Sequence, residues 1–315
     1  MIGYLARRGI QAILVMLIVS VIVFILLHTL PGGLVRAQLG PKASQFQVHQ
    51  LERTEGLLKP LPVQFFVWLA NALKGNLGFS YKLNQTVASL LAHYLPRTLL
   101  LVGISTVFSI AIAIPMGMWQ GYRRNRPDDH LLNAASLILY AMPDFLLGVI
   151  LIILLNLDLP LFPSTAGAFG TGLGNDMAVL VLPILTLILG NISYYSRYMR
   201  SSVIDNLLED YVRTAYAVGN SPRRVLVSHV FRNSMSSTMT MIGLTLPYVF
   251  SGALIVEALF NFPGIGLLFW NASQTRDYPV LLGVVLVVTV AVVVGSLLAD
   301  IGYAVLDPRV RYVRS

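Results

Sequence analysis

Three carboxylates lie within or beside long apolar runs of this 315-residue chain: Asp144, directly after Pro143, then Glu257 and Asp300. An ionisable group at membrane depth is expensive and tends to serve a solute or proton path. Pro143 frees a backbone carbonyl one turn earlier and kinks its helix. A polar cavity is therefore expected around Pro143 and Asp144, with the carboxylate facing either the solute path or a structural partner such as a tyrosine hydroxyl. Glu257 and Asp300 fall near span ends, where helix-end hydrogen bonding is the commoner role, although Glu257 is kept as a path candidate. No catalytic constellation accompanies them. There is no GxxxxGK[ST] phosphate loop and no HExxH pair. The five histidines are scattered without metal-ligand spacing, and cysteine is absent. Gly103-Ile104-Ser105 begins like a nucleophile elbow, but Val107 stands where its second glycine belongs. The chain is expected to be no enzyme and to hold no metal or cofactor of its own.

A second group of residues suits mechanics rather than reaction. Residues 208–234, LEDYVRTAYAVGNSPRRVLVSHVFRNS in sequence, form a polar stretch between apolar runs. Asp210, Arg213, Thr214 and Ala217 fall at helical spacing. Gly219 can leave a helix in the left-handed conformation. Ser221 and Pro222 read as an N-cap and first-turn pair for a second helix. The expectation is two short helices joined by a fixed bend and held at the membrane by the spans on either side, which is the form of a lever. A plain solvated connector is the alternative, but helices this short are marginal alone.

The elements that must position these residues follow from composition. The chain is 56% hydrophobic and 11% charged, against about 25% charged in soluble domains, and its mean hydropathy is +0.73. Spans of roughly 20 apolar residues are present and the ~10-residue alternation of a membrane barrel is not. An all-α polytopic membrane protein is expected, with six spans near 10–30, 98–118, 131–155, 178–195, 238–259 and 280–299. The first reads as a retained anchor rather than a cleaved signal, because its apolar run is long and no small-x-small site follows. The net charge of +8 comes from clusters beside the spans, which speaks for orientation rather than nucleic-acid binding. With the N-terminus inside, 14 of the 22 Lys and Arg residues are cytoplasmic, Arg197, Arg200, Arg213, Arg223 and Arg224 among them. Both termini and the 208–234 stretch are thereby expected on the cytoplasmic side.

Outside, the segment from Pro62 to Gly75 carries Phe65, Phe66, Trp68, Leu69 and Leu73. It reads as an amphipathic helix lying along the headgroups or packed on the tops of the spans. After the fifth span, Phe262, Pro263, Gly264 and Gly266 form a sharp aromatic turn, either a cap on the bundle or an outer gate and docking loop. The organisation expected is an anchor with an outer segment over 1–96, a five-span core over 97–307 and a cytoplasmic tail over 308–315.

Several of these stretches resemble the dipeptide/oligopeptide permeases of ABC importers. They include YLARRGIQAILVMLIVSVIVFILLHTLPG, KPLPVQFFVWL, GNLGFS, YAMPDFLLG, the stretch from Arg200 to Ser234, EALFNFPGIG, RDYPVLLGVVL and DIGYAVLDPRVRY, in family order along almost the whole chain. The resemblance implies a type I importer-like permease fold. It implies a heterodimer with a second related permease, two cytoplasmic ATP-binding subunits that use ATP and Mg, and an extracytoplasmic solute-binding protein that delivers peptide. It maps Glu209 and Asp210 onto the acidic start of an ATPase-coupling loop, Ala215 onto its small residue and Gly219 onto its glycine. The solute-binding protein would dock near Pro263–Gly266. The family's PGDP at the end of the first span is here Pro31-Gly32-Gly33-Leu34, so no role transfers to the missing residues. Relatives that carry nickel or metal chelates leave those solutes open. A proton-coupled secondary carrier relaying through Asp144 is the rival of a different class, against which the lack of an obvious inverted repeat weighs.

Overall fold

Long apolar runs become long helices because inside a bilayer every backbone polar group must be satisfied within its own segment. The computed structural model describes residues 2–29, 35, 43–54, 56–167, 169, 170 and 172–306. Its elements are α1 (Ile2–His28), α2 (Gln45–Thr54), α3 (Leu61–Leu73), a two-residue antiparallel ladder of β1 (Phe79–Ser80) and β2 (Gln85–Thr86), α4 (Val87–Tyr122), α5 (Pro127–Ala141), α6 (Asp144–Ile152), α7 (Leu173–Leu207), α8 (Asp210–Ala217), α9 (Pro222–Arg224), α10 (Phe231–Leu259), α11 (Ile265–Thr275) and α12 (Tyr278–Leu306). A π-helical turn follows α6 at Ile153–Asp158, and another joins α9 to α10 at Val225–Val230. The contacts divide into two compact units, residues 1–98 with 263–293 and residues 99–262 with 294–315.

Among the described residues, four helices are long and apolar enough to cross a membrane, and five if α5 and α6 count as one broken span. The expected fifth span at 238–259 falls on α10, whose 29 residues have the length to cross. The side chain of Asp300, residues 31–34 and the tail over 308–315 lie outside the described residues. The third span is not one kinked helix as expected. It breaks at Met142–Pro143 into two helices 105° apart. Pro143 has no N–H to donate, and Met142 takes the extended backbone that a residue before proline prefers. A second difference is length. The spans read as 98–118 and 178–195 belong to helices of 36 and 35 residues, about 54 and 52 Å at 1.5 Å per residue, against a hydrocarbon core of ~30 Å. Polar turns such as Tyr198–Leu207 escape a hydropathy reading yet continue the helix, since nothing in them breaks it.

In the unit of residues 99–262 and 294–315, α7 is the central post. Helices α5, α6 and α10 all pack on it. Helix α4 reaches it through Gly117 and Gly121, spaced as a GxxxG pair. A Cβ on Gly117 would stand 2.5 Å from the Ser196 carbonyl oxygen and 2.6 Å from the Met199 Cβ, and one on Gly121 would stand 2.7 Å from the Val203 Cβ. Small residues let helix backbones approach where lipid supplies no hydrophobic drive. An apolar cluster of Leu101, Val102, Val179, Leu182, Val256, Phe260 and Phe262 fills one part of this unit. Gly148 on α6 admits Leu259 in the place of its own side chain.

In the other unit, α3 lies against the end of α1. Phe65 meets Phe24 edge-on at 5.4 Å, and Gln64 shares a hydrogen bond with His28 at 3.1 Å. Phe66, Val67 and Leu73 are exposed on the opposite side of α3. The helix expected along the headgroups therefore packs by one face and presents the other. The hairpin is pinned by Ser80, whose hydroxyl donates to the buried carboxylate of Asp277. Thr98 accepts the first N–H of α11 at 2.8 Å.

Gly117→Ala is expected to destabilise by about 1–3 kcal/mol through overpacking. Gly103→Ala, with nothing within 4 Å of the new methyl, is expected to be neutral or to stabilise by up to ~1 kcal/mol. Thermal unfolding of both variants in detergent distinguishes the two positions.

Candidate coupling elbow and membrane cavity

The elbow is built by sequence-local rules. Helix α7 ends at Leu207, and Glu209, in extended backbone, starts α8, although no side chain caps either of the elbow's helix starts. Ser221 therefore stands at the N-cap position without making the expected hydrogen bond. At the other end of α8, Gly219 turns the chain at φ +90°. The Asn220 N–H and side-chain amide both donate to the Ala215 carbonyl, at 3.2 and 3.1 Å, closing the six-to-one bond of a glycine-ended helix. Pro222 then opens α9. The second helix is not a separate short one, as expected from sequence. It passes through the π-helical turn straight into α10, because no breaker lies between Arg224 and Phe231.

Helix α8 has two faces. Val212 and Ala215 are buried with Met199, Val203, Val225 and Val230, and the Tyr211 hydroxyl donates to Asn206 at 2.7 Å. Ala215, which the resemblance maps onto the coupling loop's small residue, faces the chain's own core. Glu209, Asp210, Arg213, Thr214, Ala217, Val218, Gly219, Ser221 and Pro222 are exposed. The Asp210–Arg213 contact at 3.3 Å is almost wholly in solvent and contributes little.

Beside the elbow, an ion pair that sequence reasoning did not anticipate locks α5 onto α7. Arg200 donates from Nε and Nη2 to the two carboxylate oxygens of Asp129, each at 2.8 Å. The Asp129 side chain is 1% exposed and that of Arg200 24%. The Asn125 N–H adds a third donor at 3.0 Å. Next to it, Asp128 accepts from Trp119 at 2.8 Å and pairs with Arg123 at 3.0 Å. The only local signal for the Asp129–Arg200 pair is an Asp-Asp pair in the first turn of a helix, a position that helix-end charge alone would also favour.

Above this pair, a cavity of about 500 Å³ opens between α5 and α7, lined by Asn133, Tyr140, Tyr194, Arg197, Tyr198 and Arg200 among others. Arg197 lies 4.9 Å over the Tyr140 ring. Asp144, in the first turn of α6, sits against Gly190 of α7, where a Cβ would stand 2.7 Å from its Oδ1. Glu257 is fully buried beside Val256 and Phe260, so it lines no open path in this conformation. Phe262, Gly264 and Gly266 are buried too, and Phe262 meets Phe169 edge-on at 5.1 Å. Of the expected docking loop, only Pro263 is partly exposed.

A helical post longer than a hydrocarbon core is thick, an amphipathic elbow at one end and a polar cavity between α5 and α7 are the features of a multi-span membrane component. Residues 113–312 match the family described as binding-protein-dependent transport system inner membrane component, and residues 1–102 match its N-terminal counterpart. The chain is 36% identical to a protein named as a peptide permease in Brucella ovis, over 99% of both chains. It is 36% identical to the oligopeptide transport system permease protein AppB of Bacillus subtilis, over 99% of this chain and all of that one. It is 34% identical to the glutathione permease GsiC of Salmonella typhimurium, over 99% of this chain and 100% of the relative. Among solved structures, the MetNI methionine ABC transporter in inward-facing form matches with a TM-score of 0.56 at 14% identity, covering 69% of this chain and 96% of that one. The chain belongs to the inner-membrane permease family of binding-protein-dependent transport systems and has the helical fold of an ABC importer permease.

Arg200→Gln is expected to cost about 3–5 kcal/mol, because it strands the buried Asp129 charge, and Asp129→Asn less, because Arg200 is 24% exposed. The double variant is expected to lose less than the sum of the two. A double-mutant cycle of detergent unfolding midpoints measures the coupling.

Proposed function

We propose that this chain is the peptide-conducting permease subunit of an ATP-driven importer in the plasma (inner) membrane, with both termini and the elbow in the cytoplasm. It works beside a second related permease in a heterodimer and is driven by two ATP-binding subunits, which bind the ATP and Mg. An extracytoplasmic solute-binding protein delivers peptide to it, at the surface that includes Pro263. The observation that carries this reading is the elbow. Its charged face is exposed, its bend is fixed by Gly219, and its second limb is continuous with α10. Closure of the ATPases around α8 would move it as a rigid body. Because nucleotide can shift the spans only by its differential affinity for their two states, a stiff link is what transmission requires. The relatives named for oligopeptide and glutathione transport support peptide as the solute.

Gly219→Val places a β-branched residue at positive φ, which it tolerates poorly, whereas Gly219→Asn remains acceptable there. Valine is expected to lower peptide uptake at least tenfold while ATP hydrolysis by the assembled complex continues, and asparagine to retain most uptake. Normal uptake by the valine variant at equal membrane abundance would overturn the lever. The chain has no cysteine, so a single Val218→Cys variant reports the side of the elbow. Labelling by an impermeant maleimide is expected in inverted vesicles and not in intact cells.

A further inference from the structure

On α7, Gly190, Tyr194, Arg197, Tyr198 and Ser201 recur at intervals of three and four and share one face. This face carries the cavity between α5 and α7. Two arginines line that cavity, and they differ in what they have left to offer. Arg200 is committed to Asp129 through two nitrogens. Arg197 rests on the Tyr140 ring and makes no carboxylate pair among the described residues, so its guanidinium keeps its hydrogen-bond donors for an incoming anion. One turn of α7 beyond Tyr194, in the direction away from the elbow, Gly190 leaves room for the half-buried Asp144. That carboxylate has no hydrogen bond or ion pair among the described residues. An unpaired carboxylate therefore lies one turn of α7 beyond a tyrosine-walled hollow that an unpaired guanidinium lines.

The spacing selects what could join them. From Gly190 to Arg197 is seven residues, about 10.5 Å along the axis, and helical side chains lean toward the N-terminus, drawing the Arg197 head back toward Asp144. An extended peptide spans about 3.3–3.6 Å per residue, so the two charges match the termini of two or three residues. We infer that the permease itself grips a short peptide by both ends, its ammonium on Asp144 and its carboxylate on Arg197, while its side chains lie against Tyr140 and Tyr194. This rests on the peptide reading given above and adds to it a specificity site within the membrane subunit. Flat aromatic walls accept varied side chains, whereas the two charged ends demand free termini. An anionic lipid headgroup could use Arg197 but would leave Asp144 without a role.

The test uses the full chain, isolated with its accompanying subunits but without solute-binding protein, in neutral phosphatidylcholine nanodiscs. Radiolabelled trialanine is the probe, with N-acetyl-trialanine and trialanine amide as competitors. Each blocked peptide is expected to bind at least tenfold more weakly than trialanine. Asp144→Asn is expected to weaken trialanine at least tenfold and leave N-acetyl-trialanine unchanged. Arg197→Gln is expected to weaken trialanine similarly and leave the amide unchanged, while Arg197→Lys stays within about threefold of the native chain. Size-exclusion profiles check folding, and should Asp144→Asn fail that check, the Arg197 pair alone decides. Blocked peptides that compete as well as trialanine, or variants that weaken all three probes alike, would overturn the clamp. So would an Arg197→Gln protein that loses only co-purified anionic lipid and keeps its peptide selectivity. Uptake of trialanine by the complete transporter is read in parallel. Uptake with no terminus selectivity in the nanodiscs removes the clamp and leaves the peptide reading standing, whereas absence of both removes the two together.

Discussion

Two helices about twice as long as the hydrocarbon core is thick must be held side by side, and this requirement governs the unit that carries the elbow. Lipid gives helix pairs no hydrophobic reason to associate. The close approach of α4 to α7 at Gly117 and Gly121 supplies dispersion contact instead. The Asp129–Arg200 pair then fixes the turn between α4 and α5 against the same post. A pair this buried stabilises little over an apolar substitute, but its loss is costly, so it specifies an arrangement more than it strengthens one. The cavity and the elbow both hang on α7, and both inherit its position.

Much of this was legible in the residues. Composition gives the class, and hydropathy places the first, second, fourth and sixth spans on the four helices long and apolar enough to cross. Gly219 marks the bend because few other residues take positive φ, and Pro62 with Gly75 brackets a helix that ends within two residues of where it was expected. What sequence could not give was continuity and pairing. Hydropathy ends a span where polar residues begin, so the twelve residues of α7 beyond Tyr195 were invisible to it. The 105° bend at Pro143 needed the extended backbone of Met142. Asp129 and Arg200 lie 71 positions apart, and nothing local announces such a partner.

Several residues changed meaning once placed. Ala215 faces inward, into the chain's own core. Phe262, Gly264 and Gly266 are buried, which makes the aromatic turn a packing element with Pro263 as its accessible point. Glu257 is fully buried. Asp144 kept its interest, because Gly190 makes room for it one turn of α7 from the tyrosines of a hollow that Arg197 lines.

The wide turn at Val225–Val230 sits where the elbow becomes α10. Such turns hold about one residue more than α geometry needs, a slack built into an otherwise unbroken rod. Tightening it would rotate everything beyond by roughly one residue's angle, ~100° at 3.6 residues per turn. A push on the rod from below could thus emerge as a twist, re-aiming the side chains of α10 without bending it.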